Sequence, residues 1–257
     1  MLTRVVFNQK GGVGKSSITV NLAAISAEQG FKTLVIDLDP QANSSQYLLG
    51  DDATYSAEKT ALEPNIENFF NDVLGTNQQK GLIGNAIGSL LKGKNKGFDQ
   101  YIHRSPFKNL DVLPASPTLG ALEHALVSKH KIYKLRDSIE TLKGEYDRIF
   151  IDTPPAFNFF TLSALITADR VLIPFDCDVF SKRALQTLIE NIIETQDDHN
   201  DRLEIEGIVV NQYQAQAKLP REVVQQLKDE GLPVLNSMLP PSVLMNESHH
   251  QHLPLIY

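Results

Sequence analysis

Lys10-Gly11-Gly12-Val13-Gly14-Lys15-Ser16-Ser17 follows the apolar run Val5–Phe7 and opens a helical pattern that closes at Gly30. A glycine-rich loop between a strand and a helix is the context that a phosphate-binding loop requires. Glycines let consecutive backbone N–H groups curl around a phosphate chain, and the N-terminus of the following helix attracts anions. The stretch therefore predicts a P-loop in which Lys15 reaches the β- and γ-phosphates and the Ser16 hydroxyl ligates Mg²⁺.

Short β-branched runs alternate with longer helical patterns along the chain, which is typical of βαβ units around a parallel sheet. The predicted strands are Val5–Asn8, Thr33–Asp37, Leu110–Leu113, Arg148–Asp152, Val171–Phe175, Gly207–Asn211 and Val234–Ser237. The predicted helices are Ser16–Gln29, Leu119–Lys143, Phe160–Thr167, Ser181–Thr195 and Pro220–Glu230. Most strands are continuous apolar runs, as expected when helices cover both faces of the sheet. We predict a three-layer α/β P-loop NTPase fold with a mostly parallel, twisted sheet.

Length and composition favour one large globular domain. The chain has 257 residues, of which 42% are hydrophobic, and we expect a single P-loop ATPase domain over residues 1–257. The stretch Leu49–Lys108 interrupts the alternation and is interpreted as an insertion or a long crossover. The lone Cys177 excludes an internal disulfide. Because the first strand is predicted so close to residue 1, we expect no signal peptide, and no apolar run approaches the roughly 20 residues of a membrane span.

Two acidic motifs follow predicted strands. The first is the run Leu34–Gln41, which contains Asp37 and Asp39, and the second is the run Arg148–Pro155, which places Asp152 directly after four strand residues as in a Walker B motif. Ligands bind at the carboxyl edge of such sheets. Phosphoryl transfer needs a metal that neutralises charge and a group that positions the nucleophile. These acids are therefore candidates for both tasks, with a turn-forming Asp-Pro as the plain alternative for Asp39.

A second lysine, Lys10, stands five residues before Lys15 and completes the deviant Walker A pattern KGGxGK[ST]. Together with the DxDPQ run at Asp37 and the Asp-Thr-Pro-Pro run at Asp152, it makes the chain resemble the ParA/MinD family of dimerising P-loop ATPases. The resemblance implies ATP and Mg²⁺ as cofactors. It also implies that Lys10 crosses a dimer interface to the phosphates held by the other subunit.

The same resemblance assigns roles to the acids and to the base-binding loops. Asp39 would orient the attacking water, Asp152 would support Mg²⁺ through its water shell, and Asp37 would lie in the second shell of the metal or hold the switch loop. Asn211, an amide with both donor and acceptor, would read the adenine edge, although a turn-capping role stays open. The loop at Pro240 resembles the segment that packs on the base.

The match to the family runs over residues 4 to 50 and 110 to 255, and its phrases are closer to ParA than to MinD. A cytoplasmic, nucleoid-associated partition ATPase is therefore expected, which dimerises with ATP, binds DNA non-specifically and is stimulated by a centromere-binding, ParB-like protein. The candidate phosphate contacts are Lys182, Arg183, Lys218 and Arg221, for which a solvated surface is the alternative. The net charge of −7 argues against a constitutive nucleic-acid binder, so DNA affinity is expected to be salt-dependent and gated by dimerisation.

Other functions of the same fold remain as alternatives or are excluded. An orphan ParA-like ATPase that positions a protein cargo would carry the same motifs. A MinD-like membrane switch needs a basic amphipathic C-terminal helix, whereas residues 231–257 contain no Lys or Arg. An electron-donating ATPase similar to the nitrogenase iron protein needs two cysteines per subunit, and this function is excluded because the chain has only Cys177. Family members usually continue past the final "PL-Y" phrase into another helix, so we expect either a shortened chain or a DNA-binding surface built differently.

Overall fold

A seven-stranded sheet forms the centre of the molecule in the computed structural model, which describes residues 1–50, 62–76, 97–177 and 181–257, and only the backbone of Ser181 and Lys182. The strands are β1 Leu2–Val6, β2 Thr33–Asp37, β3 His103–Arg104, β4 Leu110–Leu113, β5 Arg148–Asp152, β6 Arg170–Asp176 and β7 Glu204–Asn211. Their order is β3-β4-β2-β5-β1-β6-β7. All neighbours pair in parallel except β3, an antiparallel edge strand on β4.

Helices cover the sheet, with short 3₁₀ turns at Phe98–Tyr101, Leu119–Leu122 and Glu140–Leu142. The α-helices are α1 Lys15–Glu28, α2 Asn43–Leu49, α3 Ile66–Leu74, α4 Glu123–Ser128, α5 Lys134–Ile139, α6 Phe159–Thr167, α7 Ser181–His199, α8 Lys218–Asp229 and α9 Val243–His250. Apolar side chains of the central strands are almost wholly buried, among them Val5, Ile36 and Ile151. The α/β fold with a mostly parallel sheet between helices is confirmed.

The strand register brings the motif residues to one edge of the sheet. Val6, the last residue of β1, pairs with Asp152 of β5, and Asp37 at the end of β2 pairs with the same aspartate. On the other side of β1, Asp176 of β6 pairs with Asn211 of β7. Because parallel strands all end at this edge, five separate sequence segments deliver their polar residues to one place.

Two strand predictions need correction. The first strand is Leu2–Val6 and not Val5–Asn8: Arg4 is tolerated in it because its guanidinium lies over the Phe150 ring, 5.3 Å from the centroid, and pairs with Glu206. The prediction of a strand at Val234–Ser237 is wrong. That segment makes one isolated bridge, between Val234 and Ile208, and prolines before and after it limit further pairing.

The long helix predicted over Leu119–Lys143 is wrong as a single element. It is split into two 3₁₀ turns and the helices α4 and α5. The break lies at His130, whose φ of 53° is left-handed, a conformation that stops an α-helix. The apolar periodicity continues across the break since Leu126, Leu135 and Ile139 are all buried, which is why the pattern looked uninterrupted.

Part of the predicted insertion Leu49–Lys108 belongs to the main core. Asn65 caps α3 by accepting hydrogen bonds from the N–H groups of Glu67 and Asn68, and the helix buries Phe69 and Phe70 in the same apolar cluster as the sheet. Residues 51–61 and 77–96 lie outside the described residues, so the interpretation as one domain with an insertion or long crossover stays a prediction. Within the described ranges no helix is long and apolar enough to cross a membrane.

Candidate functional site

The loop between β1 and α1 adopts the backbone shape that its glycines predict. Gly12 and Gly14 have left-handed φ values of 76° and 90°, and Gly14 is the N-cap of α1. A Cβ placed on Gly11 or Gly12 would meet no atom within 4 Å, whereas one on Gly14 would lie 2.4 Å from Nδ2 of Asn211. The first two glycines thus leave one side of the loop open, and the third lets β7 approach the loop closely.

An open cleft of about 1440 Å³ lies against this loop. Its lining comes from the P-loop, the segment after β2, the end of β7 and the C-terminal segment, and it includes Gly11, Gly12, Gly14, Lys15, Ser16, Ser17, Asp39, Tyr47, Asn211, Pro240 and His249. A cleft of this kind at a helix N-terminus is suited to a ligand with a phosphate chain. Most of the residues predicted from the sequence to bind phosphate, metal or base therefore meet in one space.

Lys15 is buried beneath the loop that it belongs to. Its Nζ donates a hydrogen bond to the carbonyl oxygen of Lys10 at 2.9 Å. Burial lowers the pKa of the ammonium, while the nearby carboxylates of Asp152 and Asp39 act in the opposite direction. A desolvated ammonium on the floor of an anion-binding loop gains strongly from a phosphate, because the anion supplies the counter-charge that water no longer screens.

Lys10, the early lysine of the motif, lies at the rim of the loop. Its Nζ is 2.6 Å from Oδ2 of Asp176 at the end of β6, and 36% of its side-chain surface is exposed. Its backbone N–H donates to Oδ1 of Asn8, whose own amide donates to the carbonyl of Pro174. The two lysines thus differ in environment, since Lys15 is enclosed and Lys10 faces outward.

Asp152 sits directly behind the Ser16 hydroxyl. Its carboxylate accepts hydrogen bonds from Ser16 and from Ser44 Oγ, the latter at 2.7 Å. Burial raises its pKa to about 6, against the effect of those two hydrogen bonds. Mg²⁺ prefers oxygen donors and keeps several waters. Ser16 as a direct ligand, with Asp152 behind a water, is a donor set that fits this ion.

Asp37 is fully buried and faces α2. One oxygen accepts from the backbone N–H of Ser45 at 2.8 Å and from its hydroxyl at 2.7 Å, and the other accepts from the N–H of Asp39 at 3.0 Å. Burial and then the Asp152 charge raise its pKa well above the ordinary value. These hydrogen bonds connect Asp37 to the loop after β2 and to the start of α2, and its role in the second shell of the metal or in holding the switch loop stays a prediction.

Asp39 borders the cleft at the start of the same loop. Its Oδ1 accepts from the N–H of Gln41 at 3.0 Å, an Asx-type turn, and burial raises its pKa while that hydrogen bond opposes the change. This turn lies beside the P-loop, and Asp39 and Lys15 both contribute to the cleft wall.

The candidate base-binding residues reach the cleft as well. Asn211 donates from Nδ2 to the carbonyl of Val13 at 3.0 Å, and its Oδ1 accepts from the N–H of Gln212. Pro240 lines the same cleft. Contact with a base stays a prediction for both residues.

The candidate DNA contacts lie at the same edge of the sheet but outside the cleft. Lys218 and Arg221 are exposed in the first turns of α8, where Lys218 Nζ is 3.5 Å from Glu222 Oε1. Arg183 is exposed at the start of α7. The side chain of Lys182 lies outside the described residues.

Four residues of the site escaped the sequence analysis. Ser44 and Ser45 donate hydrogen bonds to the two buried acids, and Tyr47 and His249 line the cleft. The serines follow the Asp-Pro-Gln run closely, so the start of a short helix there was the available signal. No local pattern pointed to His249, since its partner Ser17 is 232 positions away.

Comparison with known proteins gives consistent results. A family model described as "AAA domain" (AAA_31) matches residues 2–205. The chain is 32% identical to the chromosome-partitioning ATPase Soj of Treponema pallidum, over 98% of this chain and 88% of that protein. It is 30% identical to the chromosome partitioning protein ParA of Myxococcus xanthus, over 98% of this chain and 79% of that protein.

A solved structure has the same fold. Cobyrinic acid a,c-diamide synthase from Mycobacterium smegmatis, with bound ATP analog and magnesium, superimposes with a TM-score of 0.74 at 24% identity, covering 98% of this chain and 93% of that one.

Proposed function

The chain belongs to the ParA/Soj-type group of P-loop ATPases within the AAA domain family, and from that premise we propose that it is a DNA-partition ATPase. In this proposal Mg²⁺-ATP closes two subunits face to face, the dimer binds DNA without sequence preference, and hydrolysis separates the subunits and releases the DNA. A centromere-binding, ParB-like protein stimulates a slow basal turnover, and the working location is the nucleoid.

The proposal depends mainly on the different environments of the two lysines in one loop. Lys15 is enclosed among the acids of its own subunit, while Lys10 stands at the rim with a third of its side chain exposed. A cation at the rim can serve phosphates in a facing subunit, whereas an enclosed cation serves only its own. The pair therefore supports a nucleotide held between two subunits.

Hydrolysis is assigned to the groups around the cleft. Ser16 and the water shell backed by Asp152 would hold Mg²⁺, which when bound neutralises charge on the phosphate oxygens. Asp39 would accept a hydrogen bond from a water on the outer side of the γ-phosphate and so place its lone pair in line. The raised pKa of this carboxyl suits it to hold or take a proton at that position.

DNA binding is assigned to the amino ends of α7 and α8. Both helices follow neighbouring strands of the sheet and start at its carboxyl edge, with Arg183 on one and Lys218 and Arg221 on the other. One subunit of net charge −7 offers too few phosphate contacts for firm binding. Two subunits double the contacts, so dimerisation would act as the gate.

The test is nucleotide-dependent dimerisation, followed by light scattering behind size exclusion. Wild-type protein with Mg-ATP should form a dimer that decays to monomer as ATP is consumed. Asp39→Ala should form the same dimer without decay, because the nucleotide persists. A monomeric Asp39→Ala protein at saturating ATP would refute the roles given to Asp39 and to the dimer.

A further inference from the structure

Helix α9 lies across the beginning of α1, at the far end of the phosphate loop. Nε2 of His249 is 2.8 Å from Oγ of Ser17, the last residue of the loop motif. Both residues line the cleft. A polar ring from the C-terminal segment is therefore placed beside the loop that surrounds the phosphates.

Contacts on both sides fix the position of this ring. The edge of the His249 imidazole meets the Tyr47 ring at a centroid distance of 4.8 Å and an angle of 80°. The Tyr47 hydroxyl hydrogen-bonds the hydroxyl of Ser248. Asn21, one turn along α1, donates to the Ser17 carbonyl at 2.8 Å and accepts from the N–H of Leu255 at 2.8 Å. The ring is thus held by α1 and α2 and not by α9 alone.

The chemistry of the ring suits a phosphate oxygen. Burial lowers the pKa of His249 and so favours the neutral imidazole, which carries one N–H donor and one acceptor nitrogen. The N–H of the neutral ring can exchange its Ser17 partner for an anionic oxygen. Hydrogen bonds to an ionised acceptor are stronger than neutral ones, so the exchange is favourable.

The order of the loop residues says which phosphate is nearest. Lys15 and Ser16 serve the β- and γ-phosphates and the metal, while the loop backbone also surrounds the α-phosphate. Ser17 follows them in the first turn of α1 and lines the same cleft as Pro240, from the segment that is predicted to pack on the base. An oxygen bound near Ser17 therefore belongs to the α-phosphate end of the nucleotide.

We propose that His249 is a nucleotide-binding residue that donates a hydrogen bond to the α-phosphate of the bound nucleotide, in place of its contact with Ser17. This inference rests on the proposed function, because it needs a nucleotide in the cleft. Loss of His249 should therefore affect nucleotide binding differently from loss of Lys10 or Asp39. The α-phosphate is common to ATP and ADP, so His249 contributes equally to both.

The experiment is calorimetric titration with Mg-ADP and with a non-hydrolysable Mg-ATP analogue. His249→Ala should weaken both by the same factor, about five- to tenfold, because a hydrogen bond to a charged group replaces the existing neutral bond to Ser17. His249→Gln, whose amide nitrogen can occupy the Nε2 position, should recover part of the loss. His124→Ala, an exposed histidine on α4 outside the cleft, is the matched control and should bind as wild type does.

A second measurement distinguishes direct contact between His249 and the nucleotide from a purely structural role of His249 in α9. The side-chain ¹⁵N resonances of His249 should shift when Mg-ADP is added, and the melting temperature of His249→Ala without nucleotide should stay within a few degrees of wild type. Unchanged affinity in His249→Ala, or a weakened affinity with no shift of the imidazole signals in wild type, would overturn this inference alone. A wild-type chain that binds neither nucleotide would overturn the proposed function with it.

Discussion

Nζ of Lys10 lies 2.6 Å from Oδ2 of Asp176. The lysine that is proposed to contact the phosphates of a facing subunit is therefore paired within its own chain. The partners are 166 positions apart and meet because β6 and the P-loop share the carboxyl edge of the sheet. If Lys10 transfers to a phosphate across an interface, it must give up this ion pair. In the proposed switch, this contact would oppose dimerisation until ATP provides a stronger counter-charge.

Removing that carboxylate should make dimerisation easier. We expect Asp176→Asn to dimerise at a lower ATP concentration than wild type, by up to about fivefold, because a partly exposed ion pair contributes no more than ~1 kcal/mol. Analytical ultracentrifugation over an ATP series measures the midpoint. Asp137→Asn, which removes an exposed ion-pair partner on α5, should not move it. A midpoint shifted to higher ATP in Asp176→Asn would contradict the competition.

The two lysines should fail in different ways. Lys15→Ala should lose nucleotide binding, since no other buried cation in the described part of the cleft replaces its charge. Lys10→Ala should bind ATP with an affinity near that of wild type and remain monomeric. Fluorescent-nucleotide binding and light scattering on the same samples separate the two outcomes. Normal ATP binding by Lys15→Ala would show that the loop assignment is wrong.

The backbone of the loop can be tested with two neighbouring glycines. Gly14→Ala should destabilise the protein by about 1–3 kcal/mol, because a left-handed φ strains an L-residue and the new Cβ would lie 2.4 Å from Asn211 Nδ2. Gly11→Ala meets nothing within 4 Å and should unfold at the wild-type urea concentration. Equal stability of both variants would contradict the described loop conformation.

Asp152 should lower the free energy of unfolding of the ligand-free protein, although it is needed for Mg²⁺-dependent hydrolysis. Its pKa is raised from 3.8 to about 6, so the folded state binds more protons than the unfolded state between these values. Its contribution to the free energy of unfolding therefore falls as pH rises from about 4 to 6. Asp152→Asn should be more stable than wild type by roughly 1–3 kcal/mol at pH 7.5, and should lose Mg²⁺-dependent hydrolysis.

Urea unfolding at several pH values checks the sign of this effect. The advantage of Asp152→Asn should shrink as pH falls from 7.5 toward 5, where the wild-type carboxyl is protonated in the folded state. Asp198→Asn, an exposed change on α7, should show no such trend. An advantage that grows toward low pH would contradict the burial argument.

Local patterns predicted most of the fold and the centre of the site. The P-loop, the acids after β2 and β5, and the parallel sheet follow from glycine spacing, apolar runs and their order along the chain. The seven-residue helix α2 was missed because it is too short to show a helical period, although it carries Ser44 and Ser45. Val234–Ser237 was overpredicted since its apolar residues pack beside β7 without joining the ladder.

The remaining features depend on contacts between distant segments. In the sequence, Asp176 is simply the last residue of an apolar strand. It meets Lys10 because β1 and β6 are neighbours in the sheet. His249 stands in a run of histidines with no local signal for a partner, and the return of the chain over α1 places it at Ser17. Such pairings are determined by tertiary packing, which a local sequence pattern does not predict.

The most direct test of the partition switch is binding to random-sequence duplex DNA with ATP, with ADP and without nucleotide, over a salt series. We expect binding only in the presence of ATP, weakening steeply as salt rises, and a smaller salt slope for the Lys218→Ala, Arg221→Ala double variant. Binding of equal strength in all three nucleotide states, or none in any state while the ATP dimer forms, would contradict it.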